Sequence, residues 1–138
     1  MTPTRARRET PQPAGPADLD ATFKSLRGLL RAYQPPLVAK TDDARRLDLW
    51  SARDVVISGR KRSEVFFASV ILQKSYVGFY FMPVYAAPEM KGVFGPELLA
   101  LLKGKSCFHI KALDARLLSQ IKSALAKGFR LYRQRGWI

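Results

Sequence analysis

The chain is 138 residues long, room for one ordinary domain, and its 47% apolar and 25% charged residues are the balance of a sequence that folds. A single cysteine, Cys107, and a single histidine, His109, exclude an internal disulfide framework, a cysteine-rich zinc site and a multi-histidine metal cage, and no run of about 18 apolar residues is present to span a membrane as a helix. Twenty-four Lys and Arg against eleven Asp and Glu give a net charge of +13 and a pI near 10.4, a field that draws anionic partners: nucleic acid, nucleotides, acidic proteins or membrane surfaces.

Residues 1–17 hold Pro3, Pro11, Pro13 and Pro16 with Arg5, Arg7 and Arg8 and no apolar stretch, so they are expected to be a disordered basic tail. The segment has no hydrophobic run of a secretory signal and no amphipathic stripe of a mitochondrial presequence, which points to a cytoplasmic protein. Removing the tail leaves +11 on residues 18–138, so the basicity belongs to the folded domain. A helix is predicted from Asp18 or Asp20, either of which can cap it, with Phe23, Leu26, Leu30 and Tyr33 on one face and Lys24, Arg27 and Arg31 on the other. Pro35-Pro36 ends it, because neither continues the hydrogen-bond ladder.

Leu37 to Thr41 reads as extended, Asp42-Asp43 as a turn, and Arg45 to Ser51 carries mixed signals. Val55 to Ile57 is a short β-branched run closed by Gly59 and a basic turn, Arg60-Lys61-Arg62. Glu64 to Leu72 and Tyr76 to Met82 are strong strands joined by Gln73-Lys74-Ser75, a link so short that they must pair antiparallel. Strict alternation sets Val65, Phe67 and Ile71 against Phe66, Ala68, Val70 and Leu72, leaving both faces apolar. Such strands need cover on both sides, from a second layer of helix or loop, or from a ligand, partner or second copy on an aromatic face.

Pro83, Pro88, Gly92, Gly95 and Pro96 break the next segment into loops, with a short helix predicted at Glu97 to Leu102. Cys107 to Lys111 reads as a strand, and Asp114 caps a long helix carrying Leu117, Leu118, Ile121 and Leu125 and ending near Gly128. Phe129 to Trp137 follow as an amphipathic or extended end bearing Arg130, Arg133 and Arg135.

Two stretches go beyond composition: Tyr76-Val77-Gly78-Phe79-Tyr80-Phe81-Met82-Pro83-Val84-Tyr85 and Leu102-Lys103-Gly104-Lys105-Ser106-Cys107-Phe108-His109-Ile110-Lys111. Their order, their separation and the closing helix resemble the YdhG-like family of bacterial domains of unknown function, over about Phe23 to Trp137. The resemblance implies an α+β, two-layer domain over residues 18–138: an antiparallel sheet of about five strands with the N- and C-terminal helices packed on it, similar to the frataxin fold. It also implies a chaperone-type role, since some relatives are described as frataxin-like iron chaperones. Iron, the one cofactor implied, favours clustered carboxylates. In this sequence the first helix is basic, and Asp42, Asp43 and Asp48 are the candidate ligands, with a role as turn residues the plainer reading.

Other constellations carry weaker chemistry. Lys103-Gly104-Lys105-Ser106 is not a phosphate-binding loop, because Leu99 stands where a glycine is required and a strand follows where a helix is required. It reads as a basic turn, with loose phosphate contact by Lys103 and Lys105 as the alternative. Cys107, His109 and Lys111 project from one face of their strand, the pattern of an activated thiolate, yet no carboxamide or carboxylate stands by to orient the imidazole.

Basic groups at Arg45-Arg46, Arg60 to Arg62, Lys103 with Lys105 and Lys111, and Arg130 to Arg135, set beside Tyr80, Tyr85 and Tyr132, would suit nucleotides or single strands if the fold gathers them. The reading is a non-enzymatic binding or chaperone-type domain, for iron or a partner protein. The alternative is a nucleic-acid or anionic-ligand module using Arg60, Arg62, Tyr80, Tyr85, Lys103, Lys105, His109 and Lys111; an enzyme using Cys107 and His109 ranks third.

Overall fold

A computed structural model describes residues Asp18–Ile138, and the proline-rich tail expected for residues 1–17 lies outside the described residues. The first helix, α1 (Leu19–Arg31), has Asp18 at its N-cap and buries Leu19 together with Phe23, Leu26 and Leu30 of the predicted stripe, whose fourth member, Tyr33, lies just beyond its end. Beyond it come β1 (Val38–Asp42) and β2 (Arg46–Ser51), which resolves the mixed stretch as a strand paired antiparallel with β1. The hairpin β3 (Val55–Ile57) and β4 (Arg60–Arg62) forms a two-stranded ribbon of its own.

Arg60 to Arg62 are therefore a strand and not the basic turn that their charge suggests. The reversal is made by Ser58 (φ 52°) and Gly59 (φ 78°) alone. Positive φ at both central residues is the two-residue turn whose twist matches that of paired strands.

The long strands β5 (Val65–Leu72) and β6 (Val77–Phe81) pair as expected. Between β6 and the last helix lie α2 (Met82–Ala86), a 3-10 turn (Pro88–Val93), α3 (Pro96–Leu99), β7 (Leu102–Lys103) and β8 (Cys107–Ile110). The principal sheet is six-stranded and antiparallel, in the order β1-β2-β5-β6-β8-β7, against the expected five or so. Helices α1 and α4 (Ala115–Gln134) cover one face of it, so the chain is the α+β architecture that the sequence predicts.

Strict alternation along β5 fails at one place. Leu49 pairs with Ala68 but Trp50 pairs with Phe66, so a bulge inserts an extra residue. Phe67 and Ala68 both serve the helix-covered face, where the Phe67 ring meets Tyr33, Phe81, Phe129 and Tyr132 at centroid distances of 5.3–6.3 Å. Phe66 turns instead to the opposite face with Ser69 and Ile71. The core is therefore one-sided, with Leu47, Leu49, Val70, Val77, Phe79, Phe81, Phe108 and Ile110 all fully buried.

Helix α4 starts as predicted, with Asp114 Oδ1 accepting from the Leu117 amide at 2.8 Å, but it runs through Gly128 to Gln134. Gly128 is no terminus. A Cβ there would stand 2.5 Å from the Phe81 ring and 2.8 Å from Pro83, so glycine is what lets the helix cross the sheet this closely. The true end has Gly136 at φ 75°, with the Gly136 amide donating to the Arg133 carbonyl (3.1 Å) and the Trp137 amide to the Tyr132 carbonyl (2.8 Å). That pair of bonds is the Schellman closure, and it reverses the chain so that Trp137 packs on Tyr132. Among the described residues no helix is long and apolar enough to cross a membrane.

Two glycines inside helices should respond to alanine with opposite signs. A methyl group added at Gly28 of α1 would meet nothing within 4 Å, so Gly28→Ala gains helix propensity of about 0.5–1 kcal/mol and raises Tm by a few degrees. At Gly128 the same gain is outweighed by overpacking of about 1–3 kcal/mol, and thermal denaturation of Gly128→Ala should show a lower Tm than the parent.

Candidate functional site

Residues opposite one another in a sheet share a face, so the register decides what stands on the side away from the helices. Asp48, Ser69, Tyr80 and Cys107 form one row across β2, β5, β6 and β8, and Arg46, Ile71, Gly78 and His109 form the next. Trp50 and Phe66 close the end near the bulge, with ring centroids 5.1 Å apart. Much of this face floors a groove of about 1100 Å³.

Three walls rise from that floor. On one side is the β3–β4 hairpin, contributing Val56, Ile57 and Arg62, with Val56 63% exposed. On the other are Met82 and Tyr85 of α2 with Ser106, and Tyr85 is 54% exposed. The Schellman turn supplies the end wall of Tyr132, Arg135 and Trp137. It is pinned there because the Ser51 hydroxyl donates to the Trp137 carbonyl and the Arg53 guanidinium to the Ile138 carbonyl at 3.0 Å. Tyr132 is fully buried and donates its hydroxyl to the Phe66 carbonyl at 2.6 Å, and burial pushes its ionisation far above the ordinary phenol range.

The groove is aromatic and positive. Phe66, Tyr80 and Tyr85 offer rings, and the Tyr80 ring leans across Gly78, where a Cβ would come within 2.9 Å of it. Among the lining residues Arg46, Arg62 and Arg135 face a single carboxylate, Asp48. Asp48 is 6% exposed and its Oδ1 accepts from Arg46 Nε at 2.8 Å, so the pair is internally neutral. Arg62 and Arg135 have no carboxylate partner among the described residues, although Arg135 lies over the Trp137 ring at 5.1 Å. Burial raises the Tyr80 hydroxyl's pKa, so the ring enters the site as a neutral phenol at pH 7.

Of the residues singled out in the sequence, Arg46, Asp48, Arg62, Tyr80, Tyr85, Tyr132 and Arg135 line the groove, and Lys105 stands beside it with its Nζ 5.8 Å from the Tyr85 ring. Arg60 pairs with Ile57 at the outer end of the hairpin. His109 shares the sheet face and the row of Arg46 and Ile71, but it is stacked on Tyr76 at 3.9 Å and does not line the groove. Lys103 and Lys111 are exposed near the β7–β8 edge and do not line it. Trp50, Phe66, Ser69 and Trp137 are lining residues that sequence reasoning did not propose for the site. Only a correct strand assignment for Arg46–Ser51 and the bulge at Phe67 would have found the first three.

The carboxylates named as candidate iron ligands do not converge. Asp42 pairs with Leu47, on the helix-covered face, where Arg27 and Arg31 both bond to it. Asp48 points to the opposite face, and Asp43 accepts from the Arg45 amide at 2.8 Å in the turn. Among the described residues no group of three or more acidic, His or Cys side chains is placed to hold a metal ion. Cys107 is half-buried, and burial pushes its thiol above the ordinary range, with contact from Tyr80 opposing this in part, so it is a thiol at neutral pH. Comparison with protein-family models, with curated proteins and with solved structures finds no match to the chain.

Asp42 fastens α1 to β1. The Arg27 guanidinium, with Arg31 adding to it, holds the carboxyl below its ordinary value of 3.8 against some desolvation. A depressed folded pKa means stability that is present above the unfolded value and lost as pH falls through the folded one. Asp42→Asn should therefore cost up to about 1 kcal/mol near neutral pH, as befits an exposed pair. Urea titrations of the two proteins should differ at pH 6 and converge progressively below about pH 4.

Proposed function

We propose that the chain is a non-enzymatic binding module whose groove takes an anionic ligand carrying a planar ring, the nucleotide class. One observation carries this: aromatic rings and unneutralised arginines line the same cavity, the half-buried Phe66 and Tyr80 and the exposed Tyr85 with Arg62 and Arg135. Stacking on such rings contributes about 1–3 kcal/mol per base, and an arginine fork adds paired, charge-assisted bonds to a phosphate. A ring alone would find the apolar floor but leave the arginines solvated. A small anion alone would find the arginines but leave the floor wet.

The iron-handling role implied by the family resemblance has less support, because Asp42 and Asp48 lie on opposite faces and each already has an arginine. The reading as a thiol enzyme is weakened by the raised pKa of Cys107 and by the stacking of His109 on Tyr76. A reducing, cytoplasmic setting suits the one free thiol.

Both tryptophans of the chain, Trp50 and Trp137, line the groove, so intrinsic fluorescence reports on this site without a label. Adenosine monophosphate should change that fluorescence saturably, and adenosine should need at least about tenfold higher concentration, the loss of one charge-assisted contact. Arg62→Ala should narrow the difference between the two ligands, and Tyr85→Ala should weaken both. A flat titration, or adenosine binding as well as its monophosphate, overturns the reading.

A further inference from the structure

Resting on the nucleotide-class reading above, we propose that the natural occupant of the groove is a stretch of single-stranded nucleic acid, its bases laid on the open sheet face and its backbone held by two basic rims. The groove, at about 1100 Å³, lies at the upper end of the roughly 300–1,000 Å³ of sites built for one small molecule. A single nucleotide would leave much of the floor uncovered, whereas several successive bases would not.

The rings are also spread out. Phe66 on β5, Tyr80 on β6 and Tyr85 on α2 come from three successive elements and do not form one closed pocket. Tyr85 stands exposed at the rim, where a closed site for one ring would have buried it. A row of separated platforms is what sequence-tolerant stacking of a flexible strand requires. A duplex cannot use it, because its bases are already stacked on each other.

Positive charge lies on both sides of these rings. In the hairpin Arg62 lines the groove, and Arg60, on the same ribbon face because Arg62 pairs with Val55 and Arg60 with Ile57, stands just outside the lining. Arg60, Lys61 and Arg62 are all exposed. Across the groove, Lys105 beside Tyr85 and Arg135 at the end wall form the opposite rim. In the floor Arg46 and Asp48 neutralise each other, leaving the unpaired rim cations as the two tracks for a backbone. Stacking on rings and contact with phosphates are common to both sugars, so RNA and DNA strands are both accommodated.

Salt dependence puts a number on this arrangement. Each phosphate contact on a single strand contributes about −0.7 to the slope of log K against log salt. Four rim cations, Arg60, Arg62, Lys105 and Arg135, predict a slope near −3, or roughly 50-fold weaker binding on going from 50 to 200 mM salt. Adenosine monophosphate, with one phosphate, should lose only about threefold.

The experiment titrates the full chain with adenosine monophosphate, a ten-residue oligothymidylate, its oligouridylate counterpart, a ten-base-pair duplex and a glutamate decapeptide, following tryptophan fluorescence at both salt concentrations. Both single strands should bind at least about 100-fold more tightly than the mononucleotide and more tightly than the duplex. Arg60→Ala should lower the slope by about 0.7, and Arg60→Lys should keep it, which separates lost charge from a damaged hairpin. A mononucleotide that binds with no gain for the longer strands overturns this inference and leaves the nucleotide reading standing. Equal binding of the duplex or the glutamate peptide also overturns it, as would a slope unmoved by Arg60→Ala; failure of every ligand overturns both readings.

Discussion

The bulge at Phe67 and Ala68 decides which side of the sheet each residue of β5 serves. Both bulge residues turn toward α1 and α4, and Phe67 becomes the ring that Tyr33, Phe81, Phe129 and Tyr132 surround. Burying one such side chain is worth about 1.5–3 kcal/mol, and its edge-on contacts add to that. Because the extra residue is absorbed there, Phe66 is released to the other face. The core and the groove are consequences of the same insertion. Pairing without the bulge would put Phe66 and Phe67 on alternate faces but throw Ser69 or Val65 out of step, sending a hydroxyl to the core or a valine to solvent.

The walls of the groove follow from local chemistry rather than from the sheet. Gly136 adopts a conformation that costs most side chains energy, and the resulting closure of α4 turns Trp137 back over Tyr132. The hydroxyl of Tyr132 then bonds the Phe66 carbonyl, tying the end wall to the bulge. Opposite, Ser58 and Gly59 fold a ribbon too small to be stable alone, since two strands bury little. It persists because Val55 and Ile57 pack against the core, which orients Arg60 and Arg62 without burying them.

Much of this frame is legible in the sequence. The stripes of α1 and α4, the Asp114 cap and the β5–β6 hairpin follow from periodicity and turn chemistry, which act locally. What escapes is whatever depends on a partner strand. Arg46 to Ser51 alternate charge and apolarity in a way that only pairing with β1 and β5 turns into a strand. Arg60 to Arg62 look like a solvated turn because three cations in a row seldom form a strand, and here the ribbon leaves all three in water. Gly128 looks like a stop because glycine usually is one; that it serves a close approach to Phe81 and Pro83 is a fact of tertiary packing. The candidate site is half visible for the same reason: Arg62, Tyr80 and Tyr85 are named by type, while Phe66, Trp50 and Trp137 are placed by the bulge and the Schellman turn.

The position of Asp48 sharpens the electrostatic logic of the groove. A net charge of +11 on the domain would attract any anion to any face, and selectivity needs an element that opposes the general field. Asp48 is that element, a carboxylate set in the floor and bonded through one oxygen to Arg46. A carboxylate has acceptor sites on both oxygens and no donor at all, so Asp48 keeps accepting capacity beyond its bond to Arg46. Phosphate there would find no net positive charge, because Arg46 and Asp48 cancel, while the amino or imino edge of a base would meet a ready acceptor. The arginines at the rim and the aspartate at the floor therefore impose one orientation, charge outward and ring inward, on any ligand that carries both.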